Sequence, residues 1–154
     1  MARYVFEREQ VLPRSREEVF AFFADAANLE RITPPFLRFS ITTPLPIAMR
    51  AGAKIEYRLS LFGVPFGWRT VIASYDPPEA FVDEQERGPY AVWHHEHRFE
   101  ALPGGQTKMI DRVTYAPPLG PLGAVANALF VRRTLARIFD YRRDTIAAIF
   151  PSRA

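Results

Sequence analysis

The fold is decided by the stretch L-G-A-V-A-N-A-L-F-V-R-R-T-L-A-R-I-F-D-Y-R-R-D-T-I-A-A-I-F, which occupies residues 122–150. It contains no proline and no alternation typical of a strand, and Pro151 follows it directly. Its apolar residues recur mostly three or four positions apart, which is the spacing of one helical face. They are Leu122, Val125, Leu129, Leu135, Ile138, Phe139, Ile146 and Ile149. The stretch therefore predicts one long amphipathic helix of about 40 Å.

The chain before this helix is dominated by strand patterns. Apolar and polar residues alternate in a series of segments that are separated by short turns rich in proline and glycine. The segments are residues 37–43, 53–61, 66–75, 80–87, 88–99 and 107–115. Short turns between consecutive strands predict an antiparallel meander.

The N-terminal part predicts one more strand and two short helices. Residues 3–12 alternate as a strand does. Ser15, followed three residues later by Glu18, is a capping-box pattern and predicts the start of a helix. The apolar side of this helix is expected to contain Val19, Phe22 and Phe23. A second helical segment at residues 26–32 is expected to end before the Pro34-Pro35 pair, because proline cannot continue a helix.

Together these elements predict an α+β protein with the helix-grip fold. A curved antiparallel sheet of about seven strands must bury one face, and only the final helix is long enough to cover it. We expect the C-terminal helix to pack across the sheet and to leave a cavity between the two. A length of 154 residues fits a single domain that spans residues 1–154.

The composition limits the chemistry and the location of the protein. There are no cysteines, which excludes disulfides, thiol catalysis, cysteine-bound zinc and iron–sulfur clusters. The N-terminus has charges where a signal peptide needs an apolar run. The longest uncharged apolar stretch, around residues 123–131, is far shorter than a membrane span. The expectation is a cytoplasmic protein without an integral membrane segment, either a monomer or a homodimer.

The positive charge is concentrated at the C-terminal end. The net charge is +3, and residues 122–154 contain six arginines and two aspartates, so the rest of the chain is slightly acidic. One hypothesis is an interaction module that docks through Arg132, Arg133 and Arg137 of the basic helix. The alternative is that this face is simply solvated. No nucleic-acid partner is expected, because only one element is basic and aromatic residues are not interleaved with its charges.

All three histidines lie in the segment G-P-Y-A-V-W-H-H-E-H-R-F, residues 88–99. On an extended strand, Trp93, His95 and His97 share one face, and His94 lies on the other. The first face is otherwise apolar, and an unpaired buried polar group costs about 1–3 kcal/mol. The segment therefore predicts the wall of a cavity with a polar strip.

The same alternation on neighbouring strands extends this wall. The expected ligand-binding residues are Tyr57, Trp68, Thr70, Asp83, Gln85, Trp93, His95, His97, Asp111 and Tyr115. Such a pocket would be mainly aromatic with a small polar cluster, which is how small-molecule sites are usually built. Two other interpretations stay open. Candidate catalytic residues His95, His97 and Asp111 could move protons, or the same groups could only link the strands.

Cofactor signals are weak. His95 and His97 are close enough on a strand to share an ion if Asp83 or Asp111 supplied a third ligand, but an H-x-H pattern alone is common. No G-x-S-x-G elbow, G-x-G-x-x-G loop or G-x-x-x-x-G-K-[ST] loop is present. We therefore expect neither a bound metal nor another cofactor.

Several segments resemble one superfamily. They are N-L-E-R-I-T-P-P (residues 28–35), G-A-K-I-E-Y-R-L (52–59), F-V-D-E-Q-E-R-G-P-Y (81–90), W-H-H-E-H-R-F-E (93–100) and D-R-V-T-Y-A-P-P (111–118). With them the chain resembles the START-like (SRPBCC) superfamily and, within it, the polyketide cyclase/dehydrase-like ligand-binding proteins. The resemblance implies the helix-grip fold and a cavity for a small hydrophobic or aromatic molecule. Because the superfamily includes both lipid carriers and cyclases, a cyclase or dehydratase that uses histidine and aspartate is the alternative.

Overall fold

The strands form one antiparallel sheet in a computed structural model that describes residues 2–61, 63–118 and 120–152. The strands are β1 (Tyr4–Leu12), β2 (Ser40–Ile41), β3 (Lys54–Leu61), β4 (Val64–Asp76), β5 (Ala80–Arg87), β6 (Val92–Leu102) and β7 (Gln106–Ala116). Their spatial order is β1-β7-β6-β5-β4-β3-β2. The chain thus runs as a meander from β2 to β7, and β1 pairs with the last strand. The predicted sheet of about seven strands is confirmed.

Two predicted strands differ from the observed ones. β2 has only two residues, since the Pro34-Pro35 pair leads into a 3₁₀ turn (Pro35–Leu37) and Arg38 has a left-handed backbone with φ of 49°. β6 begins at Val92 and not at Gly88, because the segment before it forms a turn. The turn expected after β3 includes Phe62, which lies outside the described residues.

The predicted helices after β1 are present but shorter. Helix α1 (Arg16–Ala24) begins where expected, and the Ser15 hydroxyl oxygen accepts a hydrogen bond from the Glu18 amide at 3.3 Å. Phe20 is buried with Val19 and Phe23, whereas the expected Phe22 is only partly buried. The second segment is a 3₁₀ turn (Ala26–Leu29) rather than a helix over residues 26–32.

The final helix covers the sheet, but not with the residues that the sequence pattern predicts. It consists of α2 (Gly123–Ala126), a π-helical turn (Asn127–Val131) and α3 (Arg132–Ile149). The residues that it buries are Gly123, Asn127, Val131, Leu135, Phe139, Arg142 and Ile146. Leu122, Val125 and Leu129 are 65%, 56% and 55% exposed, so their predicted inward position is wrong.

The π-helical turn explains this correction. The buried positions from Gly123 to Phe139 are all four residues apart, which is wider than the 3.6 residues of an α-helical turn. A turn with i→i+5 hydrogen bonds uses more residues and keeps such a row on one side. In the first half of the final helix, the face that packs against the sheet therefore consists of Gly123, Asn127 and Val131.

The apolar core of the described residues is divided into four clusters. One cluster joins α1 to β6 and β7 through Phe20, Phe99 and Met109. Another joins β1 and β7 to the final helix through Phe6, Val113 and Leu135. The region between the sheet and the helix contains a cavity. Within the described residues, no helix is long and apolar enough to cross a membrane.

Candidate ligand-binding cavity

The cavity is lined by residues of β3, β4, β5, β6 and the final helix, together with residues before β3. Its volume is about 170 Å³. The lining is mostly apolar, and its aromatic members include Tyr57, Trp68, Phe81, Tyr90, Trp93 and Phe139. The chain has two tryptophans, and both line this cavity.

The aromatic wall is built from rings on neighbouring strands. Trp68 and Trp93 are perpendicular with ring centroids 5.3 Å apart, and Tyr90 lies 4.9 Å from Trp93. Tyr57 stacks on Trp68 at 5.8 Å, and its hydroxyl is 3.0 Å from the Thr70 hydroxyl. Burial raises the pKa of Tyr57, so the phenol is uncharged. The Trp68 indole nitrogen is buried without a hydrogen-bond partner among the described residues.

A polar cluster interrupts this wall where β5, β6 and β7 are adjacent. The strand register places Asp83 opposite His95 and His97 opposite Asp111. His97 Nε2 donates to Asp83 Oδ2 at 2.5 Å, and His95 Nε2 donates to Asp111 Oδ1 at 2.8 Å. Each imidazole also has its second nitrogen near the other carboxylate, at 3.8 Å for His95 and 3.4 Å for His97.

The final helix adds a cation to the cluster. Arg142 is buried, and its Nη2 lies 3.3 Å from Asp111 Oδ1. Its guanidinium also lies 5.1 Å from the centre of the Phe23 ring and 5.7 Å from that of Phe139. Asp111 thus contacts both histidines and the arginine and is enclosed by them.

The pKa values of the two imidazoles are shifted in opposite directions. Burial and the nearby His97 lower the pKa of His95. Burial also opposes a charge on His97, but the hydrogen bonds and the attraction of both carboxylates outweigh it and raise the pKa of His97. Burial would raise the pKa of Asp111, but Arg142 and then His95 hold it well below the usual range. The pKa of Asp83 is lowered because attraction by His95 and the His97 hydrogen bond outweigh burial.

These shifts favour one particular charge state. The raised pKa of His97 and the lowered pKa of His95 favour one imidazolium on His97, which with Arg142 would match the two carboxylates; the His97 nitrogens lie 2.5 Å from Asp83 and 3.4 Å from Asp111. The cluster is then neutral as a whole. A second imidazolium on His95 would face the first across stacked rings whose centroids are 3.7 Å apart.

Three residues of the cluster, Asp83, His95 and His97, form a group that could bind a metal ion. Ligand atoms of Asp83, His95 and His97 lie within 4.8 Å of one another. However, a metal binds near the plane of an imidazole ring at about 2.0–2.1 Å, and these two rings are inclined by only 24° and stacked. Both could bind one ion only after a ring turned. The observed arrangement fits protons better than a metal.

The structure places seven of the expected ligand-binding residues on the cavity wall. These are Tyr57, Trp68, Thr70, Asp83, Trp93, His95 and His97. Asp111 lies behind the histidines instead. Gln85 binds the backbone of Tyr90 through two hydrogen bonds of 2.7 and 3.0 Å. The Tyr115 hydroxyl is buried against the final helix and donates to Asn127 Oδ1 at 2.5 Å.

Sequence reasoning missed many residues of the wall, among them the polar residues Arg142 and Tyr90. Arg142 was expected on the solvated basic face, yet it lies three residues after Phe139 and four before Ile146, on the apolar side of the helix. That spacing was the available signal. Tyr90 lies in the turn before β6, and strand alternation does not describe a turn.

The sequence of the chain matches one family model. The family is described as polyketide cyclase/dehydrase and lipid transport, and the match covers residues 12–139. The chain belongs to this family. The matched span contains Asp83, His95, His97 and Asp111 of the cluster, and Arg142 lies just beyond it.

Solved structures with the same fold include proteins with different names. The ZhuI aromatase/cyclase from Streptomyces sp. R1128 has 14% identity and a TM-score of 0.69, over 96% of each chain. Major latex-like protein 151 from Panax ginseng has 9% identity and a TM-score of 0.69, over 96% of this chain and 97% of its own. A protein from Thermus thermophilus has 13% identity and a TM-score of 0.66, over 96% of this chain and 100% of its own. Comparison with curated protein sequences gives no match. At these identities the similarity shows the helix-grip fold of the family and not the ligand.

Proposed function

We propose that the protein binds a small hydrophobic or aromatic molecule in the cavity between the sheet and the final helix. The observation that carries this proposal is an internal space of about 170 Å³ with an aromatic wall and a few polar groups. Sites for drug-sized ligands usually measure about 300–1,000 Å³, whereas an apolar cavity of about 150 Å³ holds benzene. A ligand of one or two rings fits this size.

Titration with small aromatic compounds tests the proposal. Because Trp68 and Trp93 both line the cavity, a bound ligand should change the tryptophan fluorescence and release or absorb heat in calorimetry. A panel of one- and two-ring compounds, extended to quinones, sterols and fatty acids, covers the family. The proposal fails if no compound changes either signal.

Acid–base catalysis is the second candidate, favoured by one observation. The Asp83–His97 pair lies on the cavity wall, so a proton could pass between His97 and a bound ligand through the Asp83 carboxylate. A cyclase or dehydratase function predicts that replacing His97 by alanine removes turnover but changes ligand affinity less than about tenfold. An equal loss of affinity and turnover would favour binding alone.

Docking through the basic helix is a third candidate, and the exposed apolar residues of the helix favour a membrane as the partner. Leu122, Val125 and Leu129 are followed by Arg132 and Arg133, with no acidic residue from 112 to 139. Apolar side chains beside cations suit an anionic lipid surface. A second copy of the chain is a less suitable partner for this surface, because a two-fold interface would bring the same arginines of both copies together.

Sedimentation with vesicles tests this third function. Vesicles with about 30% phosphatidylserine should bind the protein at low salt, and pure phosphatidylcholine should not. Reversing Arg132, Arg133 and Arg137 to glutamate should abolish binding. Reversing three exposed arginines elsewhere, Arg58, Arg98 and Arg112, changes the net charge equally and is the control. Equal loss in both variants, or equal binding to both vesicles, would contradict membrane docking by this helix.

A further inference from the structure

We infer that the cavity selects an uncharged aromatic compound whose hydroxyl group donates a hydrogen bond to the Asp83 carboxylate, and that it discriminates against aromatic carboxylates. This inference rests on the proposed binding function and adds the chemical class of the ligand.

Asp83 is the accessible acceptor of the polar cluster. Its contacts with His97 and His95 both use Oδ2, at 2.5 and 3.8 Å. In the part of the chain that the structure describes, Oδ1 has no hydrogen-bond partner. The Asp83 side chain lines the cavity and is 17% exposed, whereas that of Asp111 is 5% exposed. A ligand in the cavity therefore meets a carboxylate oxygen with free lone pairs, which only accepts hydrogen bonds when it is ionised.

The charge balance of the cluster disfavours an anionic ligand. Asp83 and Asp111 are already matched by Arg142 and one imidazolium. A ligand carboxylate would place an uncompensated negative charge beside Asp83, in a site where burial makes unpaired charges costly. Arg142 offsets this only in part: its Nη2 is bound to Asp111 and its guanidinium lies against the rings of Phe23 and Phe139, while its Nε is buried without a hydrogen-bond partner among the described residues.

The remaining wall determines the rest of the ligand. Apart from the cluster, the cavity is bounded mainly by aromatic and aliphatic side chains, which favour a ring and not a polar chain. A phenol has both the ring and an uncharged hydrogen-bond donor. Its hydroxyl stays neutral at pH 7, because the tyrosine side chain, which is a phenol, has a pKa near 10.

Three compounds of similar shape distinguish the possibilities by calorimetry at pH 7. They are p-xylene, p-cresol and p-toluate, which present a methyl group, a hydroxyl group and a carboxylate to the cluster. We expect p-cresol to bind about tenfold more tightly than p-xylene, as a hydrogen bond to a charged acceptor provides. We expect p-toluate to bind at least tenfold more weakly than p-cresol.

Two variants assign the preference to Asp83. Asp83→Asn should remove most of the preference for p-cresol over p-xylene and should improve p-toluate binding. Retained p-xylene binding shows that this variant is folded with its cavity intact. Asp111→Asn removes a carboxylate from the same cluster, but this group lies behind the histidines, so the ratio of p-cresol to p-xylene affinity should stay within about threefold.

Each outcome supports or overturns the inference. If p-xylene binds and p-cresol shows no preference, or p-toluate binds most tightly, the inference is wrong and the proposed binding function stands. If Asp83→Asn and Asp111→Asn reduce the preference equally, Asp83 is not the acceptor. If none of the three compounds binds, this inference is wrong, and the proposed binding function fails as well only if the wider panel of compounds also gives no signal.

Discussion

The imidazole rings of His95 and His97 stack with their centroids 3.7 Å apart, and yet each directs its Nε2 to a different carboxylate. The stacking follows from the strand, because residues i and i+2 lie on the same face. The different partners follow from the register, which puts Asp83 and Asp111 on opposite sides of β6. Two adjacent identical groups thus acquire different proton affinities.

The first prediction concerns the titration of this pair. In an NMR pH titration, the step assigned mainly to His97 should occur above pH 6.5 and the step assigned mainly to His95 below it, because their pKa values shift in opposite directions. Asp83→Asn removes an acceptor of His97 and should move its step to lower pH. Coincident steps in the wild-type protein would contradict the proposed charge state.

The second prediction concerns stability in acid. The pKa of Asp111 is well below its usual range in the folded protein, so the unfolded chain binds more protons as the pH falls. The contribution of Asp111 is complete above about pH 5 and is lost as the pH falls through about 3.9 towards the folded pKa. Urea unfolding should therefore show Asp111→Asn to be less stable than the wild type at pH 7, by an amount that shrinks below pH 5.

A matched control for this experiment is Asp144→Asn. The Asp144 side chain is 73% exposed, and its change should alter the free energy of unfolding little at any pH. A constant difference between Asp111→Asn and the wild type from pH 7 to pH 3 would show that the cluster does not hold Asp111 ionised.

The third prediction concerns the contact between β7 and the π-helical turn. Asn127→Ala removes the acceptor of the buried Tyr115 hydroxyl, which should cost about 1–3 kcal/mol in the free energy of unfolding. Adding Tyr115→Phe to this variant should recover part of the lost stability, because the double variant has no tyrosine hydroxyl left unsatisfied at this position. A double-mutant cycle by urea unfolding measures the coupling. Strictly additive losses would argue against the hydrogen bond.

The fourth prediction concerns a substitution that fills the cavity. Ile138→Trp places a large ring on the helical side of the wall and should weaken binding of every ligand more than tenfold. The free energy of unfolding should fall by less than about 1–3 kcal/mol, the cost of overfilling a close-packed core, because the new ring occupies an existing space. Ala148→Trp, at an exposed position of the same helix, is the control. Unchanged affinity in Ile138→Trp would place the ligand elsewhere.

Strand alternation predicts much of this site. Residues with a period of two along β5, β6 and β7 place Asp83, His95, His97 and Asp111 side by side, since an antiparallel register leaves few other arrangements. The alternation does not predict which of these groups faces open space. That depends on the covering helix, and Asp111 lies behind the histidines because Arg142 reaches it from there.

The phase of the final helix is the main feature that the sequence pattern mispredicts. Apolar spacing identifies the helix itself, but Leu122, Val125 and Leu129 fit a regular α-helix, whereas the row Gly123, Asn127 and Val131 stays on one side only with the π-helical turn. The choice between the two faces is made by tertiary contacts, namely the Asn127–Tyr115 hydrogen bond and the packing of Val131 with Leu135 against β1 and β7. Neither contact is local in the sequence.

The π-helical turn also lets the final helix accommodate a change of one residue in length. The turn takes up one residue more than a regular α-helical turn, so removing one residue between 127 and 131 would restore regular i→i+4 bonds while α2 keeps its orientation relative to α3. Leu135, Ile138, Phe139 and Arg142 lie after this point and would keep their places on the cavity wall. A change of one residue in chain length can therefore be absorbed at this turn while the ligand-binding interior is inherited unchanged.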